Sequence, residues 1–152
     1  MSDYDNLLQV IRMRVCNNRN MSPSAYYKDS TQDNQIRNRT ALIYILEMIL
    51  HQHRLKHATI FNPLEGPAAL HHLIFMKTRW FPGDIRKLSF EDSLFVIQDE
   101  IKIENLTDEA QSALKILELP NFSVTFEHLP EKDWDYMENS IHLQNLKMKA
   151  SQ

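Results

Sequence analysis

A mainly α-helical domain is what the sequence predicts, on three observations. Only two glycines, Gly66 and Gly83, occur in 152 residues, whereas β-rich folds need glycine for hairpin turns and bulges. From about residue 35 to 57 the chain has neither Gly nor Pro, and Ile36, Ile43, Leu46, Ile49 and Leu50 recur at helical intervals. Ser2 stands three residues ahead of Asp5, and Ser89 three ahead of Asp92, a spacing that marks helix N-termini. The expected architecture is an all-α, single-domain bundle over residues 1–152. It has about five to six helices around a central apolar helix at about 35–57, with one short extended segment near 122–126.

After the Ser2 box, Tyr4, Leu8, Ile11 and Val15 predict a first helix over about 3–16. Asn17 to Asp33 is polar and contains Pro23, so it reads as a long loop, with Ala25, Tyr26 and Tyr27 as anchors to the core. In the central helix the run ALIYILEMIL is apolar nearly all round, and such a helix is contacted on several sides. Pro63 and Gly66 break the chain, Pro67 suits a first helical position, and Ala68 to Lys77 continues as helix. Trp80-Phe81-Pro82-Gly83 is a turn signal. Ser89 opens a helix to about Ile101. Thr107 caps a short helix over 108–117, which Pro120 ends. Phe122 to Phe126 alternates as F-S-V-T-F, the pattern of an extended segment. Pro130 to Lys147 reads as a final helix with Trp134, Met137 and Ile141 on one stripe, and Met148 to Gln152 as a frayed tail.

Hydrophobic residues make up 43% of the chain, close to the globular norm, so a core is expected. A chain of this length buries roughly two thirds of its unfolded surface. The scarcity of glycine also counts against Gly-rich phosphate loops. Cys16 is the only cysteine, which fits a reducing compartment. The N-terminal MSDYDNLLQVIRMR lacks the apolar core of a signal peptide. The longest apolar run, Ala41 to Leu50, is interrupted by Glu47 and falls short of the roughly 20 residues that span a membrane. The expectation is a cytoplasmic protein with no membrane partner. Its net charge of −3 is uneven: residues 1–60 carry +3, residues 61–120 carry −4 and residues 121–152 carry −2.

The acidic part is concentrated. Between Glu91 and Glu109 stand seven carboxylates (Glu91, Asp92, Asp99, Glu100, Glu104, Asp108, Glu109) and one lysine, Lys102. Phe90, Leu94, Ile97 and Ile101 fall on one arc of a helical wheel, and Glu91, Asp92 and Asp99 on another. A folded acidic face of this kind suits docking of a protein partner with a basic surface. Glu91, Asp92, Asp99 and Glu100 are its centre, and Trp80 and Phe81 are candidate aromatic anchors. The competing account is a solvated face that keeps the chain soluble.

Two alternatives compete. Arg12, Arg14, Arg19, Arg37, Arg39, Arg54 and Lys56 offer cations for a nucleic-acid-associated regulator, with Tyr26 and Tyr27 beside them. A helix-turn-helix over 90–117 is excluded, because its second helix opens with two acids and would repel DNA. The second alternative is a metal-dependent enzyme. His51, His53 and His57 cluster at the end of the central helix, with His53 and His57 four apart on one face and His71 and His72 as further ligands. Against it, Arg54 stands where an H-E-x-x-H site has glutamate, Lys56 adds a second repelling charge, and His at a helix C-terminus suits the dipole. No G-x-S-x-G or comparable catalytic motif occurs. The expected function is therefore a small non-enzymatic interaction module of immunity, inhibitor or adaptor type, without metal or cofactor and of open oligomeric state.

Overall fold

Ser30 starts the longest helix. In the computed structural model, which describes residues 2–22 and 30–146, its hydroxyl accepts the Asp33 N–H at 3.1 Å. Helix α2 (Thr31–His57) then runs for 27 residues, about 40 Å at 1.5 Å per residue. It lies against α1 (Asp3–Asn17) on one side and α3 (Pro67–Thr78) on another. Two short helices follow, α4 (Pro82–Arg86) and α5 (Phe90–Val96), both packed on α3. Next come 3-10 turns at Gln98–Glu100 and Ile103–Asn105, and α6 (Asp108–Leu114), extended by a 3-10 turn at Lys115–Leu117. A 3-10 turn at Glu131–Asp133 leads into α7 (Tyr136–Leu143), which returns to α1. No strand occurs among the described residues; one isolated bridge joins Thr59 and Asn62.

The central position of α2 follows from its composition. Ile43, Tyr44, Leu46, Glu47, Met48 and Leu50 are fully buried, and six such positions within eight residues cannot all lie on one face. The helix is therefore wrapped, and α1 supplies Leu7, Leu8, Ile11 and Val15 to the same core. Truncating one such leucine to alanine typically costs about 2–5 kcal/mol.

Several polar residues inside the bundle are bonded to specific partners. The Tyr44 hydroxyl donates to the Ala110 carbonyl at 2.8 Å, which ties α6 to α2. The Trp134 indole N–H donates to Glu47 Oε1 at 2.8 Å. The same ring stacks on Phe90, with centroids 5.3 Å and planes 13° apart. One tryptophan thus joins the central helix, α5 and the C-terminal segment. Asp133, wholly buried, accepts from both Arg19 Nη atoms (2.9 and 2.8 Å), from Arg39 Nη1 (2.9 Å) and from the Asn18 amide (2.9 Å).

Several boundaries differ from the sequence expectation. Helix α2 begins at Thr31, because the Ser30 cap sits inside what reads as polar loop. Trp80–Gly83 is the entry to α4, with Pro82 at its first position. Helix α5 stops at Val96 and does not reach Ile101; Asp99 and Glu100 fall at its C-terminal end, where carboxylates oppose the helix dipole. Residues 122–126 form no ladder. The final helix starts at Tyr136, since the Asp135 side chain accepts the Glu138 N–H at 3.0 Å and caps it there. The proposed stripe fails with it: Trp134 is buried ahead of the helix, Met137 and Ile141 are exposed, and Asn139 and Leu143 face inward. The loop anchors Ala25, Tyr26 and Tyr27 and the tail at 148–152 lie outside the described residues.

Candidate functional site

Helix α5 presents two faces of opposite chemistry. Ser89 accepts the Asp92 N–H at 3.0 Å and starts the helix, so Glu91 and Asp92 lie in its first turn, where carboxylates favour the positive end. Phe90 and Leu94 turn inward, as the wheel predicts, while Ile97 and Ile101, fully and partly buried, lie past the helix end where the wheel no longer applies. Glu91, Asp92, Asp99, Glu104, Asp108 and Glu109 are all exposed. Asp99 and Glu100 belong to the following 3-10 turn, Glu104 to the next, and Asp108 and Glu109 to the first turn of α6.

Phe95 sits within this acidic surface. It lies four residues after Glu91 and four before Asp99, and its side chain is 76% exposed. Of the two expected anchors, Phe81 is 73% and Trp80 48% exposed. Lys77 Nζ pairs with Glu100 Oε1 at 3.3 Å and so holds the acidic turn beside the last turn of α3, just ahead of Trp80 and Phe81. Partly exposed, that pair is worth at most about 1 kcal/mol; its importance is positional. Among the described residues, Glu91, Asp92 and Asp99 have no ion-pair partner, although the charge of Glu91 reaches Arg39. A second exposed apolar pair, Ile60 and Phe61, tips the tight turn held by mutual Thr59 and Asn62 backbone bonds.

The N-terminal arginines mostly turn inward. Arg19 and Arg39 hold Asp133, with Arg19 also 4.1 Å above the Phe126 ring. Arg14 bonds Glu138 (2.6 Å), Asn139 (2.7 Å) and the Asp133 carbonyl (3.3 Å). Arg37 pairs with Asp33 and donates to the Glu118 carbonyl. Arg54 Nε donates to the Leu64 carbonyl at 2.8 Å. Arg12 Nε is buried without a hydrogen-bond partner. Lys56 remains exposed. Apart from Arg12 and Lys56, these cations staple the fold and do not form the open cationic stripe that tracks a phosphate backbone.

The histidines divide differently from their order in sequence. His53 and His57 meet His72 of α3: His53 Nε2 and His72 Nδ1 lie 2.7 Å apart, and the three ring centroids are 4.4 to 5.3 Å apart. His51 faces a cleft between α2 and α7. Burial, then the neighbouring imidazoles and Arg54 and Lys56, press the His53 pKa down to about 4. His72 is lowered by burial, His57 and Arg79. His53 and His72 are therefore neutral imidazoles in a cationic setting. No three His, Cys, Asp or Glu side chains among the described residues are placed to hold a metal ion. Cys16 is buried and its thiol pKa is raised by burial, the opposite of an activated nucleophile.

Three features are not evident from the sequence: the exposure of Phe95, the burial of Glu47, and the cleft lined by His51, Arg54 and Tyr136. Only Phe95 has a local signal, since helical spacing sets it among the acids and off the Phe90–Leu94 stripe. No helix among the described residues is long and apolar enough to cross a membrane. Compared with protein-family models, with curated protein sequences and with solved structures, the chain has no significant match.

Proposed function

We propose that this chain is a small non-enzymatic interaction module of the immunity, inhibitor or adaptor kind, which docks a basic protein through α5 and the turns that follow it. One observation supports the reading above others: Phe95 is 76% exposed on the helix whose first turn carries Glu91 and Asp92, just ahead of the turn that carries Asp99. An apolar ring left in water within a charged face gains on burial against a partner, by about 1.5–3 kcal/mol. Carboxylates around it steer a cationic partner and raise its association rate. Trp80 and Phe81 extend the apolar contact. The partner's basic surface, occluded in the complex, would be its working surface for an anionic substrate such as nucleic acid. The lone, buried Cys16 suits a reducing, cytoplasmic setting. The nucleic-acid reading has less support because the arginines it needs are bonded within the fold.

The test is capture from native-host lysate by the wild-type chain and by the combined Glu91→Lys, Asp92→Lys, Asp99→Lys variant. Lysine in the first turn of α5 costs about 1 kcal/mol against the helix dipole, so folding is verified by circular dichroism. A basic protein retained by wild type and lost by the variant supports the reading. Identical captured sets would sink it.

A further inference from the structure

Away from the acidic face, α2, the 63–67 connection and α7 enclose a cleft of about 620 Å³, within the range of small-molecule sites. Its apolar walls are Pro63, Pro67, Met137 and Leu143; its polar groups are Arg54, His51, the Tyr136 side chain, Ser140, Gln144 and one exposed carboxylate, Glu65. Arg54 is partly buried, and no carboxylate among the described residues lies within ion-pair distance of it. Its electrostatic neighbours are the buried Glu47 and the exposed Glu65. Glu47 Oε2 is buried without a hydrogen-bond partner, and burial raises the Glu47 pKa, favouring the neutral acid. Burial and Arg54 together lower the His51 pKa, so His51 adds no charge near neutral pH. The cleft thus holds one cation, Arg54, whose nearest carboxylates, the buried Glu47 and the exposed Glu65, both stand beyond ion-pair distance, with an apolar wall of Met137, Leu143 and two prolines beside it.

We propose that this cleft binds a small monocarboxylic acid with an apolar body, its carboxylate on the Arg54 guanidinium and its body against Met137, Leu143 and the two prolines. A guanidinium pairs with carboxylate in a planar, charge-assisted geometry. One cation beside an apolar wall matches a monoanion better than a phosphate dianion, which Glu65 repels more strongly. The N-terminus of α3, at Gly66 and Pro67 on the cleft wall, adds potential of the same sign.

The probe is octanoate, compared with 1-octanol, octylamine and inorganic phosphate, titrated into 15N-labelled protein and followed by amide chemical shifts. Octanoate should saturate one site, shifting the Gly66, Ser140 and Gln144 amides, at least tenfold more tightly than the other three compounds. Arg54→Gln should remove that preference over octanol. Met137→Glu changes an exposed side chain, leaves the fold intact, and should weaken octanoate at least tenfold. Absence of saturable shifts, equal affinity for octanol, tighter binding of phosphate, or indifference to Met137→Glu each overturns the proposal. None of these outcomes bears on the α5 face, so the two readings stand or fall separately.

Discussion

Replacing Asp133 by alanine should be among the most damaging single changes in this protein. The carboxylate is wholly buried and accepts four hydrogen bonds of 2.8–2.9 Å, three of them from Arg19 and Arg39. Removing it leaves Arg39, 2% exposed, without its ion-pair partner. Breaking a buried ion pair from one side costs about 3–5 kcal/mol. Two features temper the loss. Arg39 keeps the His128 carbonyl at 2.9 Å, and Arg19, 17% exposed, reaches water. The expected cost is therefore near the lower end, about 3 kcal/mol. Urea unfolding followed by far-ultraviolet circular dichroism and by tryptophan fluorescence measures it, Trp134 being the adjacent residue. Asp133→Ala combined with Arg39→Met should recover more than half of the loss, since the uncompensated charge leaves with its partner. Acid provides a second readout. Burial alone would raise the Asp133 pKa, but Arg19, Asn18 and Arg39 hold it below the ordinary carboxylate value. That contribution is present above about pH 4 and is lost as pH falls through the depressed pKa. A cost under about 1 kcal/mol, or no recovery in the double variant, would refute the hub.

The histidine cluster predicts a loss of stability at higher pH than this. His53 binds its proton with a pKa of about 4 in the fold and about 6.5 unfolded, so stability is full above about 6.5 and declines towards 4. The unscreened size is about 3 kcal/mol, reduced to about half by solvent reaching the open side of the ring cluster. Urea titrations between pH 4 and 7 measure this, and His53→Gln should flatten the slope; a flat wild-type profile would count against the cluster. Gly66→Ala should destabilise by about 1–3 kcal/mol, because φ is +55° and the new Cβ would lie 2.7 Å from the Tyr136 ring. An unchanged urea midpoint would contradict that geometry.

Much of the fold was legible because its signals are local. The Ser2, Ser89 and Thr107 caps each act within one turn of helix, the apolar run at 41–50 spans under three turns, and the glycine count needs no long-range contact. Errors arose where two local signals competed. Ser30 and Asp33 form the same box as Ser89 and Asp92, but inside a polar stretch that reads as loop. Asp135 with Glu138 marks the start of α7, and the apolar residues Trp134, Met137 and Ile141 obscured it. Non-local pairing was not legible at all. Arg39 and Asp133 are 94 residues apart in sequence and Trp134 and Glu47 are 87 apart, so the arginines resemble surface charge until the fold brings their partner in. The acidic face was readable from the wheel, whereas the cleft depends on α7 closing over Arg54 and left no trace in spacing.

The central claim is that the acidic face binds through an aromatic centre, and Phe95 tests it most directly. Phe95→Ala removes a side chain that is 76% exposed and so should leave the urea midpoint within about 0.5 kcal/mol of wild type. Titration calorimetry against the captured basic partner should nevertheless show an affinity loss of about 2 kcal/mol, close to thirtyfold, as expected for a buried aromatic hot spot. An affinity within twofold of wild type would contradict the account.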